Sequence, residues 1–147
     1  METNSKVWMA ASDLVSRSKA AVMTTANSIG QPHAAWMNVL VDSSMETVVA
    51  ISAPTTQKIK NLQENPSVEW MFASPSMESV AYLTGPTEIL TGELAQNYWN
   101  SMPGKSKAPY KNYSTSEDHN DFAIICTKVD NVVYCRPPVY QKTTASK

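Results

Sequence analysis

The stretch TVVAISAPTTQKIKNLQENPSVEWMFA, residues 47–73, predicts a strand, a hydroxyl-rich turn, a short helix and a second strand. β-Branched residues favour the first strand, and Pro54 ends it because proline cannot donate to a ladder. Apolar residues recur at helical spacing over 57–64, and Asn65-Pro66 stops that helix. The elements predicted for the rest of the chain are placed before and after this unit.

The turn that precedes the helix is a candidate anion site. Thr55 and Thr56 offer hydroxyls where the helix begins, and Lys58 places a cation in a first turn that already carries partial positive charge. The lysine is unfavourable there in the free protein, but a bound phosphate monoester would make its charge favourable. Backbone N–H groups, hydroxyls and the ammonium could all bind the same phosphate. The alternative is a solvated surface lysine, and these residues alone leave both open.

Composition limits the class of protein. The chain has 147 residues, a formal charge of -1 and a pI near 6.1, so we expect one domain and no nucleic-acid partner. Its charged fraction of 17% is compatible with a surface partly covered by a second subunit or a flat cofactor. The sequence has no signal-peptide pattern and no apolar run of membrane-spanning length, which predicts a cytoplasmic protein with no membrane partner.

The candidate metal and disulfide residues are few. Cys126 and Cys135 are expected to be free thiols; if Asp130-Asn131 were a hairpin turn they would face each other, so a cross-strand disulfide is the alternative. The run Asp118-His119-Asn120-Asp121 has metal-ligand residue types without ligand spacing, so we expect no metal site.

Hydrophobic periodicity predicts a β-rich barrel of about seven strands with two or three short helices. Gly85-Pro86 inside a strand pattern predicts a bend of the kind that closes a barrel. We expect a single domain over 1–147 with flexible ends at 1–4 and 141–147, and a polar segment at 101–120 that is a functional loop, a dimer arm or disorder. The other predicted elements are a helix of about twelve residues after Ser5, strands at 20–26, 33–41, 68–73 and 80–90, a helix at 94–99, and a C-terminal hairpin of 122–126 with 132–135.

With this order established, the chain resembles the FMN-binding split-barrel family of pyridoxamine 5'-phosphate oxidases and general stress protein flavoproteins, over about residues 14–136. The resemblance is carried by GQPHAAWMNVL (30–40), SAPTTQKIKNLQENPSVEW (52–70) and VAYLTGPTEIL (80–90). Tyr98-Trp99, Pro103-Gly104 and the closing VDNVVY make it most similar to the stress-protein branch.

The resemblance implies a mainly β (β-rich α+β) fold, a six- to seven-stranded antiparallel split β-barrel, and a homodimer with FMN in a groove between subunits. The phosphate would lie against Ser52, Thr56, Gln57 and Lys58. The isoalloxazine would lie along Trp36, Met37, Asn38 and Val39, with Ile51 beside it. For Trp36, packing in the core is the alternative to stacking on the flavin, and His33 is a further candidate for the phosphate.

Departures from the family pattern limit the activity. Oxidases of the pyridoxamine phosphate branch carry basic residues where this chain has Ala35, Leu40 and Gln57, and their C-terminal Arg motif has no counterpart here. The resemblance therefore implies an FMN-dependent oxidoreductase acting on another small molecule, with NAD(P)H as a candidate reductant and no assignable catalytic residue. The alternatives are a non-catalytic flavin-binding or stress-response protein, a split barrel that binds haem or a deazaflavin, and a ligand-free interaction barrel.

Overall fold

The computed structural model describes residues 4–107, 122–136 and 141–147, which form a split barrel of two antiparallel sheets. The strand order is β10-β9-β6-β5-β1-β2 in the six-stranded sheet and β3-β4-β8-β7 in the four-stranded sheet. This confirms the predicted β-rich α+β split barrel. The helices are α1 (Asn4–Ser16), α2 (Gln57–Glu64), α3 (Gly92–Ser101) and the one-turn α4 (Gly104–Lys107), and the strands are β1 (Ala20–Ala26), β2 (Pro32–Asn38), β3 (Leu40–Val41), β4 (Thr47–Ser52), β5 (Glu69–Ala73), β6 (Val80–Thr84), β7 (Thr87–Leu90), β8 (Ala123–Lys128), β9 (Asn131–Arg136) and β10 (Gln141–Ser146).

Two long strands each switch from one sheet to the other, and this is how the barrel closes. β2 continues into β3 through Val39, and β6 continues into β7 through Gly85-Pro86. A Cβ at Gly85 would lie 1.7 Å from the carbonyl oxygen of Lys128, so only glycine allows the two backbones to meet there. The bend predicted at this dipeptide is confirmed.

The core lies between the inner faces of the two sheets. Alternate residues of β1, β5, β6 and β9 point inward, and α1 adds Ala11, Leu14 and Val15 to the same cluster. The buried Trp70 Nε1 donates to Thr127 Oγ1 at 2.9 Å and so joins the two sheets. Among the helices that the structure describes, none has the length and apolarity needed to cross a membrane.

A second layer covers the four-stranded sheet. Trp99 of α3 packs with Phe122, the ring centroids being 5.6 Å apart, over the outward side chains of β4 and β8. Both faces of β4 are therefore buried, which explains its nearly continuous apolar sequence.

The predicted C-terminal hairpin is wrong. β8 pairs with β4 and β7 in one sheet, whereas β9 pairs with β6 and β10 in the other. Between them the amides of Val129 and Asp130 donate to the carbonyls of Glu46 and Thr84, at 2.8 and 3.0 Å, so the chain crosses the barrel instead of closing a two-residue turn. Cys126 and Cys135 lie in different sheets as free thiols, and the disulfide alternative is also wrong.

The ends of the chain also differ from expectation. Residues 141–146, expected to be part of a flexible tail, form β10, and this strand raises the number of continuous strand runs to eight. Ala145 is 1% exposed, and the Lys147 ammonium donates to the Glu46 carboxylate at 2.8 Å. Ser5 lies inside α1 instead of capping it, and the described part of the polar segment contains the one-turn helix α4. Residues 1–3 and 108–121, including the run 118–121 considered for metal, lie outside the described part.

Candidate functional site

A cleft of about 120 Å³ opens where β2, the end of β4 and the start of α2 meet. Seven of the nine positions predicted to bind the cofactor line it, together with one residue that was not predicted, Ala53. The predicted residues brought together are Trp36, Met37, Asn38, Ile51, Ser52, Thr56 and Lys58. The fold therefore unites two segments that are separate in sequence, and their role in binding stays a prediction.

Two predicted residues do not line the cleft. Val39 is 8% exposed and packs in the barrel core at the point where the strand changes sheets. Gln57 is turned along its helix, where its Nε2 donates to Asn61 Oδ1 at 2.8 Å. Ala53 was missed because its side chain carries no chemical signal.

Hydroxyl groups form the floor of the cleft. Ser52 Oγ and Thr56 Oγ1 lie 3.0 Å apart, and they lie 3.0 and 3.3 Å from the carbonyl oxygen of Ala53. The two hydroxyl groups have two protons for these three contacts, so not all three can be hydrogen bonds at once. Either hydroxyl can rotate to donate its proton to a ligand.

The first turn of α2 supplies backbone donors. Thr56 is the N-cap residue, yet its side chain does not cap the helix. Within the described part of the chain, the amides of residues 57, 58 and 59 find no acceptor in a backbone or side chain. Such amides at a helix N-terminus are ready donors for an anion.

Lys58 is the one cation among the described residues that line the cleft. It is half-buried, and it makes no hydrogen bond or ion pair with any residue that the structure describes. Burial lowers the pKa of its ammonium, because desolvation disfavours the charged form. Within the described ranges, no carboxylate lines the cleft. A half-buried cation among uncapped amides fits the anion site better than the solvated-lysine alternative.

Trp36 stands beside the cleft and is 75% exposed. Packing in the core, considered from the sequence, is therefore wrong for this residue: it lies on the outward face of β2, an edge strand. His33, on the same strand, is half-buried and does not line the cleft.

A larger cavity of about 360 Å³ lies further along the same strands, at β3 and the C-terminal end of α3. Burial raises the pKa of the Tyr98 phenol, with smaller contributions from Cys126 and Asp42, so this group remains a donor at neutral pH. Burial also raises the pKa of Asp42, but hydrogen bonds from Ser44 and Thr47 outweigh it and the net pKa is lowered. The described residues that line this cavity include no cation; they are Leu40, Val41, Asp42, Thr47, Val49, Tyr98, Ser101, Met102 and Pro103.

Solved structures share this fold over nearly the whole chain. A protein from Clostridium acetobutylicum related to general stress protein 26 of B. subtilis has a TM-score of 0.77 and 17% identity, covering 99% of this chain and 96% of its own. A haem-binding protein from Mycobacterium smegmatis has a TM-score of 0.75 and 15% identity over 99% of this chain, which spans 59% of that protein. An FMN-binding protein from Nostoc punctiforme, related to pyridoxamine 5'-phosphate oxidase, has a TM-score of 0.63 and 9% identity, with coverages of 97% and 93%.

At these identities the structural likeness shows the fold alone, and the relatives differ in the ligand that their descriptions name. The comparison with curated proteins found no match. The family model described as pyridoxamine 5'-phosphate oxidase matches residues 8–136, which is most of the chain and includes both walls of the cleft. The chain therefore belongs to the pyridoxamine 5'-phosphate oxidase family, and its fold is that of the general stress protein 26 structures.

Proposed function

We propose that the cleft binds the phosphate of FMN and that the protein is an FMN-dependent oxidoreductase acting on a small molecule. The observation that carries this proposal is Lys58, a half-buried ammonium with no anionic partner among the described residues, next to uncapped amides. Ser52 and Thr56 would add hydroxyl donors. A phosphate there would receive charge-assisted hydrogen bonds, which are about twice as strong as neutral ones.

The size of the cleft supports binding of one end of the cofactor. Its 120 Å³ is below the roughly 300–1,000 Å³ typical of sites for drug-sized ligands, so it would take the phosphate end only. Trp36, Met37 and Asn38 would lie beside the ring system, where the exposed indole of Trp36 offers a stacking surface. Bound FMN would supply hydride or electron transfer, and this chain's residues would hold and orient it.

The second cavity argues against a phosphorylated substrate. It has apolar walls and a carboxylate, Asp42, whose pKa is lowered, and its lining in the described part of the chain contains no lysine or arginine. An anionic phosphate would be repelled there. This supports the expectation that the substrate is a small molecule other than pyridoxamine 5'-phosphate.

We also propose a cytoplasmic homodimer with FMN at the subunit interface. The cleft is shallow beside the exposed Trp36, so a second subunit would supply the wall that is missing. Free thiols at Cys126 and Cys135 suit a reducing compartment.

Haem is a weaker candidate. Haem iron takes His, Cys, Met or Tyr as axial ligand. Met37 is the one such residue that lines the cleft, and it is 7% exposed and packed in the barrel core. The cleft therefore offers no axial ligand that suits haem, and haem stays a ligand to test.

The absorption spectrum of the purified protein, with identification of any cofactor released on heating, tests the proposal. We expect flavin bands, or their appearance after titration with FMN. A colourless protein that takes up no FMN would refute it, and uptake of haem or a deazaflavin instead would support that alternative. Anaerobic addition of NADH or NADPH then separates an oxidoreductase, whose flavin bleaches, from a non-catalytic flavin-binding or stress-response protein, whose flavin does not.

A further inference from the structure

The second cavity, which lies along β3, β4 and the end of α3, is large enough to hold a whole small molecule. Its volume of about 360 Å³ lies within the roughly 300–1,000 Å³ typical of small-molecule sites. Tyr98 and Ser101 of α3 contribute hydroxyl groups to it. Its apolar lining consists of Leu40, Val41, Val49, Met102 and Pro103. The cavity can therefore enclose an apolar ring, since a cavity of about 150 Å³ already holds benzene.

The carboxylate of Asp42 lies at this cavity, at the start of the turn between β3 and β4. Its Oδ1 accepts from the amide and the hydroxyl of Thr47, at 2.6 and 3.0 Å, and its Oδ2 accepts from the hydroxyl of Ser44. A carboxylate has about four acceptor positions, so one position on Oδ2 is left by these three contacts. The turn therefore holds the carboxylate in place and leaves it able to accept one further hydrogen bond.

The negative charge of Asp42 has no counter-ion among the described residues. Glu46, on the same turn, is paired with Lys147 at 2.8 Å. Lys107, beyond the end of α3, has its ammonium 5.4 Å from the centre of the Trp99 ring and does not line the cavity. The cavity thus combines apolar walls with one unneutralised negative charge.

We propose that the second cavity binds an organic cation, with the apolar body of the ligand against the cavity wall and its positive head group on Asp42. A protonated amine would donate the hydrogen bond that Oδ2 can still accept, and such a bond is charge-assisted. An anion would be repelled by Asp42, and a neutral apolar molecule would leave this charge without a partner.

The cavity begins where the residues proposed to hold the flavin ring end. Along β2 and β3, Asn38 lines the cleft and Leu40 lines the cavity; along β4, Ile51 lines the cleft and Val49 lines the cavity. Two residues of strand span about 7 Å, so the two sites are neighbours. The inference deepens the proposed function and rests on it for one point only, that the organic cation is the substrate.

An NMR titration with three probes of similar shape tests the charge preference. At neutral pH phenethylammonium is a cation, 2-phenylethanol is neutral and 3-phenylpropionate is an anion. The methyl resonance of Met102, which lines the cavity, reports binding there. We expect the ammonium to bind about 5-fold more tightly than the alcohol or better, and the carboxylate to bind most weakly. A Met102 that responds to none of the probes, or equally to ammonium and alcohol, would overturn the proposal.

Three variants assign the preference to Asp42. Asp42→Asn removes the charge, whereas Ser101→Lys adds a cation at the cavity and leaves the Asp42 turn intact, so one test survives if the first variant misfolds. Asn97→Lys is the matched control, because it puts the same charge on an exposed site of α3 that does not line the cavity. We expect the first two variants to lose the preference for ammonium over alcohol and Asn97→Lys to keep it. A preference that persists in Ser101→Lys would refute the role of Asp42.

The methyl resonance of Met37, which lines the cleft, separates failure of this proposal from failure of the cofactor proposal. If both hold, FMN should shift Met37 and phenethylammonium should shift Met102. A protein that takes up no FMN while Met102 still responds to the ammonium refutes the cofactor proposal and supports the cation site. A protein that binds FMN while Met102 ignores the ammonium refutes the cation site alone.

Discussion

Lys58 shows how a residue that is unfavourable for stability can serve binding. Its ammonium is half-buried in a helix first turn, against the helix dipole, and has no anionic partner among the described residues. Burial lowers the pKa of Lys58 in the folded state below the unfolded value of 10.5. The buried charge therefore reduces stability below the folded-state pKa, and stability rises as the pH increases from that pKa to 10.5.

We predict that Lys58→Met raises the Tm of the apo protein and weakens FMN by about 10- to 100-fold, because a hydrogen bond to a charged group contributes about 1.5–3 kcal/mol. Riboflavin, which lacks the phosphate, should bind as before. Calorimetry and fluorescence titration measure both effects, with Lys60→Met on the exposed face of the same helix as control. Equal loss of FMN and riboflavin would show that the phosphate lies elsewhere.

Gly85 is the second residue whose identity is set by its surroundings. A methyl group there would meet the carbonyl group of Lys128. Two backbone hydrogen bonds keep this carbonyl in place: the Lys128 N–H donates to Pro86 at 2.9 Å, and the Asp130 N–H donates to Thr84 at 3.0 Å.

We predict that Gly85→Ala lowers the free energy of unfolding by about 3 kcal/mol or more. Urea denaturation measures this. Gly104→Ala, where the methyl group meets nothing within 4 Å, should be nearly neutral, and similar values for the two variants would contradict the close approach.

At the scale of elements, α2 is fixed to the barrel by one buried and one exposed hydrogen bond. Asn61 is 2% exposed; its Nδ2 donates to Thr25 Oγ1 on β1 at 3.1 Å, and its Oδ1 accepts from Gln57. At the other end of the helix, the Glu64 carboxylate accepts from the amide of Ser28 at 2.9 Å. These contacts hold the first turn, with its free amides and Lys58, at the cleft.

We predict that Asn61→Ala destabilises the protein by about 1–3 kcal/mol, since it leaves the buried Thr25 hydroxyl without its partner. Gln63→Ala, exposed on the same helix, should change stability far less. A double-mutant cycle with Thr25→Val, followed by urea denaturation, should give a non-additive result. Additive losses would mean that the Asn61–Thr25 bond does not contribute.

At the scale of the whole molecule, β10 completes the six-stranded sheet. Its strand pairs with β9 along its full length, buries Ala145 and brings Lys147 to Glu46. β9 would otherwise be an exposed edge, the kind of edge that invites pairing with other chains.

We predict that a chain cut after Tyr140 loses a few kcal/mol of stability, at about 1 kcal/mol for each ladder hydrogen bond, and aggregates more readily. Lys147→Ala removes the exposed ion pair with Glu46 and the contact of the ammonium with the Trp8 ring, and it should cost about 1 kcal/mol. Urea midpoints and light scattering compare the two. A truncated chain as stable as the wild type would show that β10 is dispensable.

Much of the fold could be predicted from local patterns. α2 was predicted at its observed bounds because caps, breakers and periodicity all act within a few residues. The bend at Gly85-Pro86 followed from the two residues that a strand interior disfavours. Seven of the nine predicted cleft residues line the cleft because they lie at strand ends and at a helix start, where neighbouring elements meet.

The remaining features depend on contacts between residues distant in sequence. Whether β8 pairs with β9 or with β4 is a choice between sheets, and the residue types Asp130-Asn131 carry no information about it. The sequence of β10, QKTTAS, lacks the alternation of apolar and polar residues that marks a strand. The strand is defined by its pairing with β9. Trp36 is exposed because β2 lies at a sheet edge, and Gln57 turns from the cleft because Asn61 is held by another strand. Local chemistry thus defines the elements and the cleft residues, whereas pairing partners and exposure arise from the long-range packing of the barrel.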